Sequence, residues 1–328
     1  MLTIRIFFPL MLILALPGAL AADLPGIPEF INEMVVKHQF KRDELIKVFH
    51  EAQYRQDVIN AMNTPSTFKP WLDYRASFVN QKRISGGMKF WMKHADALER
   101  AEKLYGVPQE IIVAIIGVET LYGRNAGNYR TLDALTTLSF DYPRRVEFFR
   151  NELEQYLLLA REQNFDMLSI RASYAGALGI PQFMPSSYRK NAVDFDGDGK
   201  IDLMMDADDA IGSVANYLKQ YGWKAGEAVA VRAKVEEGAR PDDVGAARSL
   251  VAWGELGVSP QGKNGDGLFA YLLDFTLPDG KEFWLGFNNF AVITTYNNSS
   301  YYAMSVYQLA VELRKSARYY GLIRRAPL

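Results

Sequence analysis

One apolar segment constrains the fold more than any other part of the sequence. Residues 107–118 read VPQEIIVAIIGV and are followed directly by Glu119. Ile112, Ile115 and Ile116 lie seven, four and three residues before Glu119. At about 3.6 residues per turn, these side chains share one helical face with the Glu119 carboxylate. The segment therefore predicts an apolar helix that carries a single carboxylate at its end.

A single carboxylate on an apolar helical face is a candidate general acid. Burial disfavours the ionised form and therefore raises the pKa of a carboxyl group, as a general acid near neutral pH requires. The alternative is an ordinary helix-end carboxylate that reaches solvent where the helix stops at Gly123. Helical periodicity alone does not choose between the two interpretations.

The composition predicts a folded protein without a nucleic-acid partner. The 328 residues are 49% hydrophobic, which is enough for at least one large core. The formal net charge is -1, so no general positive field favours nucleic acid. The 18 Tyr, 19 Phe and 5 Trp residues suit either ordinary packing or surfaces that stack on sugar rings.

The first 21 residues have the pattern of an export signal. Arg5 precedes an apolar run over residues 6–16, and a Pro-Gly pair ends that run. Residues 19–21 read Ala-Leu-Ala and place small side chains where a signal peptidase needs them, so the expected mature chain begins at Ala22. An uncleaved N-terminal anchor is the alternative, although the run is shorter than the ~20 apolar residues of a membrane span.

Cysteine and histidine usage excludes several kinds of chemistry. The sequence contains no cysteine, which excludes disulfides, thiol nucleophiles, cysteine metal sites and a lipid-modified N-terminal cysteine. The histidines, His38, His50 and His94, are scattered and lack metal-ligand spacing such as HExxH. No motif indicates an organic cofactor. An exported protein without disulfides fits the bacterial periplasm.

Helical periodicity dominates the chain, and one β-rich insertion interrupts it. Most of the sequence up to residue 223 shows apolar residues at helical spacing between Gly- and Pro-marked breaks. Residues 228–235 alternate as a strand does, and segments 268–275 and 281–287 flank a Pro-Asp-Gly turn typical of a hairpin. A last helix is expected over residues 301–320. The predicted fold class is therefore mainly α (α+β), with a small β insertion.

An acidic loop predicts a calcium site. Asp194, Asp196 and Asp198 occupy the first, third and fifth positions of a calcium-loop pattern. Gly199 permits the sharp turn at the sixth position, and the Lys200 carbonyl would be the next ligand. Clustered carboxylates repel one another, and a divalent cation relieves that repulsion. The alternative is a solvated acidic turn.

The closing ligand of this loop departs from the standard pattern. Met205 stands where a standard loop places its bidentate Glu. The next carboxylates belong to Asp206, Asp208 and Asp209. Asp206 and Asp209 could instead cap the helix that starts near Ala210, and a capping role does not exclude calcium binding.

Separate blocks of the sequence together resemble one enzyme family. The blocks are GVP at 106–108, EII at 110–112, IIGVET at 115–120, LDAL at 132–135, TLSF at 137–140, YPRR at 142–145, GA at 176–177, QFMPSSY at 182–188, DAIGSVANY at 209–217, YN at 296–297 and YAM at 302–304. With the acidic loop, they span most of the chain after about residue 70. The chain thereby resembles the lytic murein transglycosylase B family, whose catalytic domain is lysozyme-like.

The resemblance implies a domain organisation for the whole chain. The expected parts are a signal peptide at 1–21, an N-terminal helical domain at 22–100, a lysozyme-like catalytic core with the calcium loop at 101–224, a small β domain at 225–287, and a cleft segment with a C-terminal helix at 288–328. The C-terminal helix is expected to pack back on the helical domain.

The resemblance also implies a reaction. The family cleaves the β-1,4 bond between N-acetylmuramic acid and N-acetylglucosamine in peptidoglycan glycan strands, which are the expected partner. The muramyl C6 hydroxyl attacks C1 and leaves a 1,6-anhydro ring, while one Glu, here Glu119, acts first as acid and then as base. The acetamido group of the substrate can stabilise the cationic intermediate. Other cell-wall enzymes are candidate partners.

The resemblance also implies which residues of this sequence contact the substrate and which bind calcium. The residues that match the family's cleft positions are Tyr74, Ser173, Gln182, Tyr217, Tyr296, Asn297 and Tyr302. A tyrosine can stack on a sugar and orient polar groups, although simple packing is the alternative for each. The family's closing calcium ligand is the Asp before Ala-Ile-Gly-Ser, which is Asp209, with Asp208 or Asp206 as substitutes. The expected calcium ion is structural.

Three further expectations follow from the resemblance and its limits. The founding member is a lipoprotein, but this chain lacks the cysteine, so a soluble periplasmic form without a stable membrane anchor is expected. A hydrolytic muramidase is the first alternative function and would need a second carboxylate roughly 5–9 Å from the first. A non-catalytic peptidoglycan-binding module is the second alternative.

Overall fold

Helices make up most of the structure, as the periodicity predicts. The computed structural model describes residues 24–322 apart from 65–68, 238, 240–243 and 263–267. The predicted signal peptide therefore lies outside the described residues. The helices are α1 (Ile27–His38), α2 (Arg42–Glu51), α3 (Gln56–Asn63), α4 (Trp71–Phe78), α5 (Gln81–Lys93), α6 (Ala95–Tyr105), α7 (Gln109–Thr120), α8 (Thr131–Asp141), α9 (Val146–Glu162), α10 (Pro185–Asn191), α11 (Ala207–Gln220), α12 (Leu250–Glu255), α13 (Asn288–Tyr296) and α14 (Ser300–Tyr319).

The strands form a short ribbon and one larger sheet. The strands are β1 (Tyr129–Arg130), β2 (Arg171–Ala172), β3 (Ala230–Val235), β4 (Ala247–Ser249), β5 (Val258–Pro260), β6 (Phe269–Leu277) and β7 (Gly280–Gly286). Strands β1 and β2 pair with each other, and the other five form an antiparallel sheet in the order β4-β6-β7-β3-β5. The expected hairpin is β6–β7, which closes where Leu277 pairs with Gly280.

Helix α7 lies at the centre of the largest hydrophobic cluster. It is apolar all round, so it can be stable only where other helices cover every side, and α5, α6, α11 and α14 do so. Ile112, Ile115 and Ile116 have no exposed surface. Truncating one of them to alanine would cost about 2–5 kcal/mol of the free energy of unfolding.

A second cluster joins the start of the chain to its middle. Helices α1–α3 pack with α8 and α9 through residues such as Phe30, Phe49, Leu138 and Leu153. Helices α4–α6 belong instead to the cluster around α7. The hydrophobic contacts of the range 22–100 are therefore divided between two clusters, and the expected domain boundaries remain a prediction.

The larger sheet has its own small core and also contacts the helices. Trp253 of α12 is buried in that core and donates its indole N–H to the carbonyl of Ala270. On the other side, Phe275 of β6 packs against Trp71 of α4, with ring centroids 4.5 Å apart. The C-terminal helix α14 returns to contact α4, α5 and α7. None of the helices within the described ranges is long and apolar enough to cross a membrane.

Candidate active site

The end of α7 presents the Glu119 side chain to a cleft. The helix stops because Leu121 and Tyr122 adopt left-handed backbone conformations, with φ of 51° and 65°. Leu121 N–H donates to the carbonyl of Gly117 at 3.2 Å, which closes the last turn. The Thr120 hydroxyl donates to the carbonyl of Ile180 at 2.8 Å and joins this turn to the segment that contains Ile180. Glu119 thus lies on a helix end that is fixed from two sides.

The surroundings of Glu119 favour its protonated form. Burial raises the pKa of the Glu119 carboxyl from 4.5 to about 7, and a hydrogen bond from Tyr302 opposes that rise. The Tyr302 hydroxyl donates to Glu119 Oε1 at 2.5 Å. As a whole residue Glu119 is half-buried, and it lines the cleft. Near neutral pH a large share of the molecules therefore holds a proton that a bound substrate can take.

A cavity of about 740 Å³ contains Glu119 and most of the expected substrate residues. Ser173, Gln182, Tyr217, Tyr296 and Asn297 line its wall. Tyr302 contacts Glu119 directly through its hydroxyl group. Six of the seven residues expected from the sequence are thereby brought to Glu119 or to the cavity around it.

Tyr74 is placed differently from the other six. It lies on α4 with 4% of its surface exposed and does not belong to the described lining of the cavity. Its ring packs against Phe78 and Tyr301. Burial raises the pKa of the Tyr74 hydroxyl, and the charge of Glu119 raises it further. Tyr74 is therefore close enough to Glu119 for the charge of the carboxylate to affect the pKa of its hydroxyl. Contact between Tyr74 and sugar stays a prediction.

Tyrosine hydroxyl groups in the cavity wall are used to hold the wall together. Tyr217 donates to the carbonyl of Thr295 at 2.7 Å, and Tyr296 donates to the carbonyl of Pro181 at 2.6 Å. The Tyr217 ring stacks on Tyr221 with centroids 4.3 Å apart. These bonds fix the ring orientations, so the tyrosines form a rigid aromatic wall of the kind that suits sugar rings.

Ser173 and Gln182 also line the cavity, and their side chains bond to the backbone around them. The Ser173 hydroxyl accepts a bond from Ala177 N–H at 3.1 Å and so closes the turn of the Gly-Ala segment. Gln182 Nε2 donates to the carbonyls of Ala126 and Gly179, at 3.0 and 2.9 Å. Both side chains therefore order the loops that border Glu119.

The cavity also contains a carboxylate that the sequence reasoning missed. Glu152 lines the same cavity, and it is 2% exposed. It accepts hydrogen bonds from the N–H group of Ser186 at 2.9 Å and from its hydroxyl at 2.6 Å. Glu152 occurs inside the amphipathic helix α9, so only its position among buried residues of that helix could have drawn attention to it.

The acidic loop brings together three of its predicted ligands. Carboxylate oxygens of Asp194, Asp196 and Asp209 lie within 4.8 Å of one another. Gly197 and Gly199, both at positive φ, provide the sharp turns between them. Three convergent carboxylates are the donor set that a hard cation such as Ca²⁺ prefers, so the loop fits the predicted ion.

The other acidic residues of the loop make different contacts. Asp206 caps α11 by accepting from the N–H groups of Asp208 and Asp209. Asp208 bonds to His94 Nδ1 at 2.9 Å. Asp198 lies outside the group of three, and its carboxylate accepts from the N–H of Lys200. Asp209 is therefore better placed than Asp206 or Asp208 to close the site.

Comparison with known proteins places this architecture in a family. Residues 24–311 match the family described as Transglycosylase SLT domain. The membrane-bound lytic murein transglycosylase B of Escherichia coli (strain K12) is 46% identical over 298 residues, which cover 88% of this chain and 82% of that protein.

Solved structures of similar proteins share the fold. The crystal structure of soluble lytic transglycosylase SltB1 from Pseudomonas aeruginosa is 48% identical, with a TM-score of 0.84, over 90% of this chain and 100% of that one. Escherichia coli lytic transglycosylase Slt35, solved in complex with calcium, is 44% identical, with a TM-score of 0.85, over 91% of this chain and 96% of that one. The chain therefore belongs to the transglycosylase SLT domain family, together with the lytic murein transglycosylases.

Proposed function

We propose that this protein cleaves the β-1,4 bond between N-acetylmuramic acid and N-acetylglucosamine in peptidoglycan and leaves a 1,6-anhydro-N-acetylmuramic acid end. The observation that carries the proposal is the Glu119 carboxyl, which faces the cleft from the end of α7 with a pKa of about 7. A carboxyl with this pKa can give up a proton and take one back at neutral pH.

Glu119 would act twice in this reaction. Its carboxyl first donates a proton to the glycosidic oxygen, and the bond from that oxygen to the muramyl C1 breaks. The acetamido group of the sugar shares the positive charge that develops at C1. The Glu119 carboxylate then takes the proton of the C6 hydroxyl, whose oxygen bonds to C1 and closes the anhydro ring. The catalyst regains its proton, and no water is consumed.

Mass spectrometry of digested sacculi separates the proposed function from its alternatives. Purified sacculi incubated with the protein should release muropeptides that carry anhydro ends. Reducing ends would indicate a hydrolytic muramidase. Binding to sacculi without any released product would indicate a non-catalytic binding module, and either of these outcomes would refute the proposal.

The second carboxylate in the cavity makes the muramidase a concrete alternative. A hydrolase would use Glu152 together with Glu119 to activate water or to form a covalent intermediate. However, Glu152 is buried, and both of its oxygens accept bonds from Ser186. We therefore assign Glu152 to the support of α10.

Replacing Glu152 with glutamine tests this assignment. We expect Glu152→Gln to lose less than about tenfold in rate and to keep the anhydro product, because no proton-transfer step is assigned to Glu152. We expect the free energy of unfolding to fall by about 1–3 kcal/mol, because an amide cannot accept both bonds from Ser186. Rates and thermal melts of the purified variant measure the two effects. A loss comparable to that of Glu119→Gln would revive the hydrolytic mechanism.

We also propose that the acidic loop binds a structural calcium ion. The supporting observation is the convergence of Asp194, Asp196 and Asp209. Asp198 and the Lys200 carbonyl complete the proposed ligand set. The loop leads into α11, which packs against α7, so an ion there would stabilise the scaffold behind Glu119 without joining the chemistry.

Calcium should raise the melting temperature by a few degrees. Extracellular-type sites bind at roughly 10⁻⁴–10⁻³ M. At a tenfold excess over Kd, binding to the folded state adds ~1.4 kcal/mol. Asp196→Asn should abolish the shift. Asp43→Asn is the control, because Asp43 is an exposed residue of α2 and does not belong to the acidic loop.

Two results would contradict the calcium proposal in different ways. The absence of any shift at millimolar calcium would remove the site. Complete loss of activity in chelator, while the protein remains folded, would make the ion part of the catalysis.

We propose that the protein works in the periplasm after cleavage near Ala21 and has no stable membrane anchor. The support is the export pattern of the first 21 residues and the absence of a cysteine that could carry lipid. Cell fractionation and N-terminal sequencing test this. A species that keeps its first residues and sediments with membranes would contradict it.

A further inference from the structure

Three glycines surround the side chain of Tyr122, which follows the catalytic helix. Gly86 and Gly87 belong to α5, and Gly117 belongs to α7. A Cβ atom added at Gly87 or at Gly117 would lie 2.5 Å from the Tyr122 hydroxyl oxygen. A Cβ atom at Gly86 would lie 3.0 Å from the tyrosine ring. The two helices thus leave a space fitted to this ring.

The backbone at Tyr122 requires such support. Leu121 and Tyr122 are consecutive non-glycine residues at positive φ, a conformation that crowds the Cβ atom and is sparsely populated. It persists only where the surrounding structure holds it. The Tyr122 hydroxyl supplies one such restraint, because it donates to the carbonyl of Arg83 at 2.8 Å.

Arg83 connects the ends of two helices. Its Nε donates to the carbonyl of Gly117 at 3.0 Å, and one terminal nitrogen donates to the carbonyl of Ser77 at 2.5 Å. Ser77 lies in the last turn of α4, and Gly117 lies in the last turn of α7. A guanidinium group suits this place because helix carboxyl ends carry partial negative charge. The helices it joins carry Tyr74 and Glu119.

We propose that Arg83 and Tyr122 are positioning residues that hold the last turn of α7 and so fix the Glu119 carboxyl relative to the cleft. The proposal rests on the proposed function. Neither residue is among those that line the catalytic cavity, so they would act through Glu119 rather than on the substrate. Displacement of a catalytic group by about 1 Å can cost on the order of 10²-fold in rate.

A positioning role predicts a change in pH dependence as well as in rate. Burial is the main cause of the raised pKa of Glu119, so a looser helix end that admits water would lower that pKa. The other titratable groups that interact with Glu119 are Tyr74, Tyr296 and Tyr302, from α4, α13 and α14. Burial raises the pKa of each hydroxyl, so all three stay neutral over the pH range of interest.

The experiment compares Arg83→Met and Tyr122→Phe with wild-type protein on soluble uncrosslinked glycan strands. Tyr122→Phe keeps the ring between the glycines and removes only the hydroxyl bond to Arg83. Arg42→Met is the matched control, because Arg42 is an exposed arginine of α2 outside the cluster of α7. The measured quantities are kcat, KM, the pH profile and the thermal melt.

We expect kcat of Arg83→Met to fall about tenfold or more, with a smaller change in KM, because the proton-transfer geometry is disturbed. The alkaline limb of the profile should move to lower pH by roughly half a unit or more, as the pKa of Glu119 falls. Tyr122→Phe should move both quantities in the same direction by less. Arg42→Met should match the wild type.

Two outcomes would overturn the proposal. The first is a wild-type kcat and alkaline limb in both variants. The second is a lowered melting temperature with an unchanged pH profile, which would make the two residues merely structural. If Arg83→Met does not fold, the kcat and pH profile of Tyr122→Phe alone test the positioning role. Failure of the wild type to release anhydro ends would instead refute the proposed function, so the two failures are distinguishable.

Discussion

Replacing Glu119 with glutamine is expected to lower the rate of anhydro-muropeptide release by about 10²–10⁴-fold, the usual share of general acid–base catalysis. Glutamine is nearly isosteric and can still accept the Tyr302 hydrogen bond, but it has no proton to give to the glycosidic oxygen. Initial rates on purified sacculi measure the loss. Near-wild-type turnover by Glu119→Gln would show that another group is the acid.

The same substitution should stabilise the protein at high pH. The pKa of Glu119 is about 7 in the folded protein and 4.5 as an ordinary carboxyl. Between these values the folded state binds a proton that the unfolded state has lost, so stability falls as the pH rises. The ionised carboxylate therefore destabilises the fold at pH ~8 by roughly 3 kcal/mol. Glutamine removes that penalty.

Thermal melts of Glu119→Gln and wild type at two pH values test the linkage. The variant should melt higher at pH ~8, and the difference should shrink towards pH ~4.5, where both states of the wild type become protonated. Glu51→Gln, at an exposed position, serves as the control. A difference that does not depend on pH would mean that the pKa of Glu119 is the same in the folded and the unfolded protein, so that it is not raised by folding.

Local sequence patterns predicted those helices and strands that have both a clear apolar periodicity and clear turn or cap residues at their ends. The apolar run ending at Glu119 predicted α7, and the Pro-Asp-Gly turn predicted the β6–β7 hairpin. Both depend on neighbours only a few residues apart, so a single sequence contains the required information. Six of the seven residues expected from the resemblance lie at Glu119 or in its cavity, and their contacts with sugar stay a prediction.

Features that depend on long-range packing could not be read from local patterns. Helical periodicity does not show that α1–α3 pack on α8 and α9 while α4–α6 pack on α7. Glu152 looks like any polar residue of an amphipathic helix until α10 covers it. The choice of Asp209 over Asp206 and Asp208 depends on how α11 starts relative to the loop.

Arg83 and Tyr122 illustrate the same limit near the active site. The Gly86-Gly87 pair would ordinarily count against a helix, since glycine lowers helix propensity. Only the three-dimensional structure shows that the missing side chains leave room for Tyr122. The paired glycines and Gly117 are visible in the sequence and indicate a close approach of some other group. The sequence nearby does not indicate that this group is the side chain of Tyr122.

Digestion of sacculi in ¹⁸O-water, followed by mass spectrometry of the muramyl ends, distinguishes attack by the C6 hydroxyl from attack by water. If the C6 hydroxyl is the nucleophile, the released ends are anhydro sugars without label at C1, and Glu119→Gln releases almost none. If ¹⁸O appears at the muramyl C1, water is the nucleophile, and the protein is a muramidase.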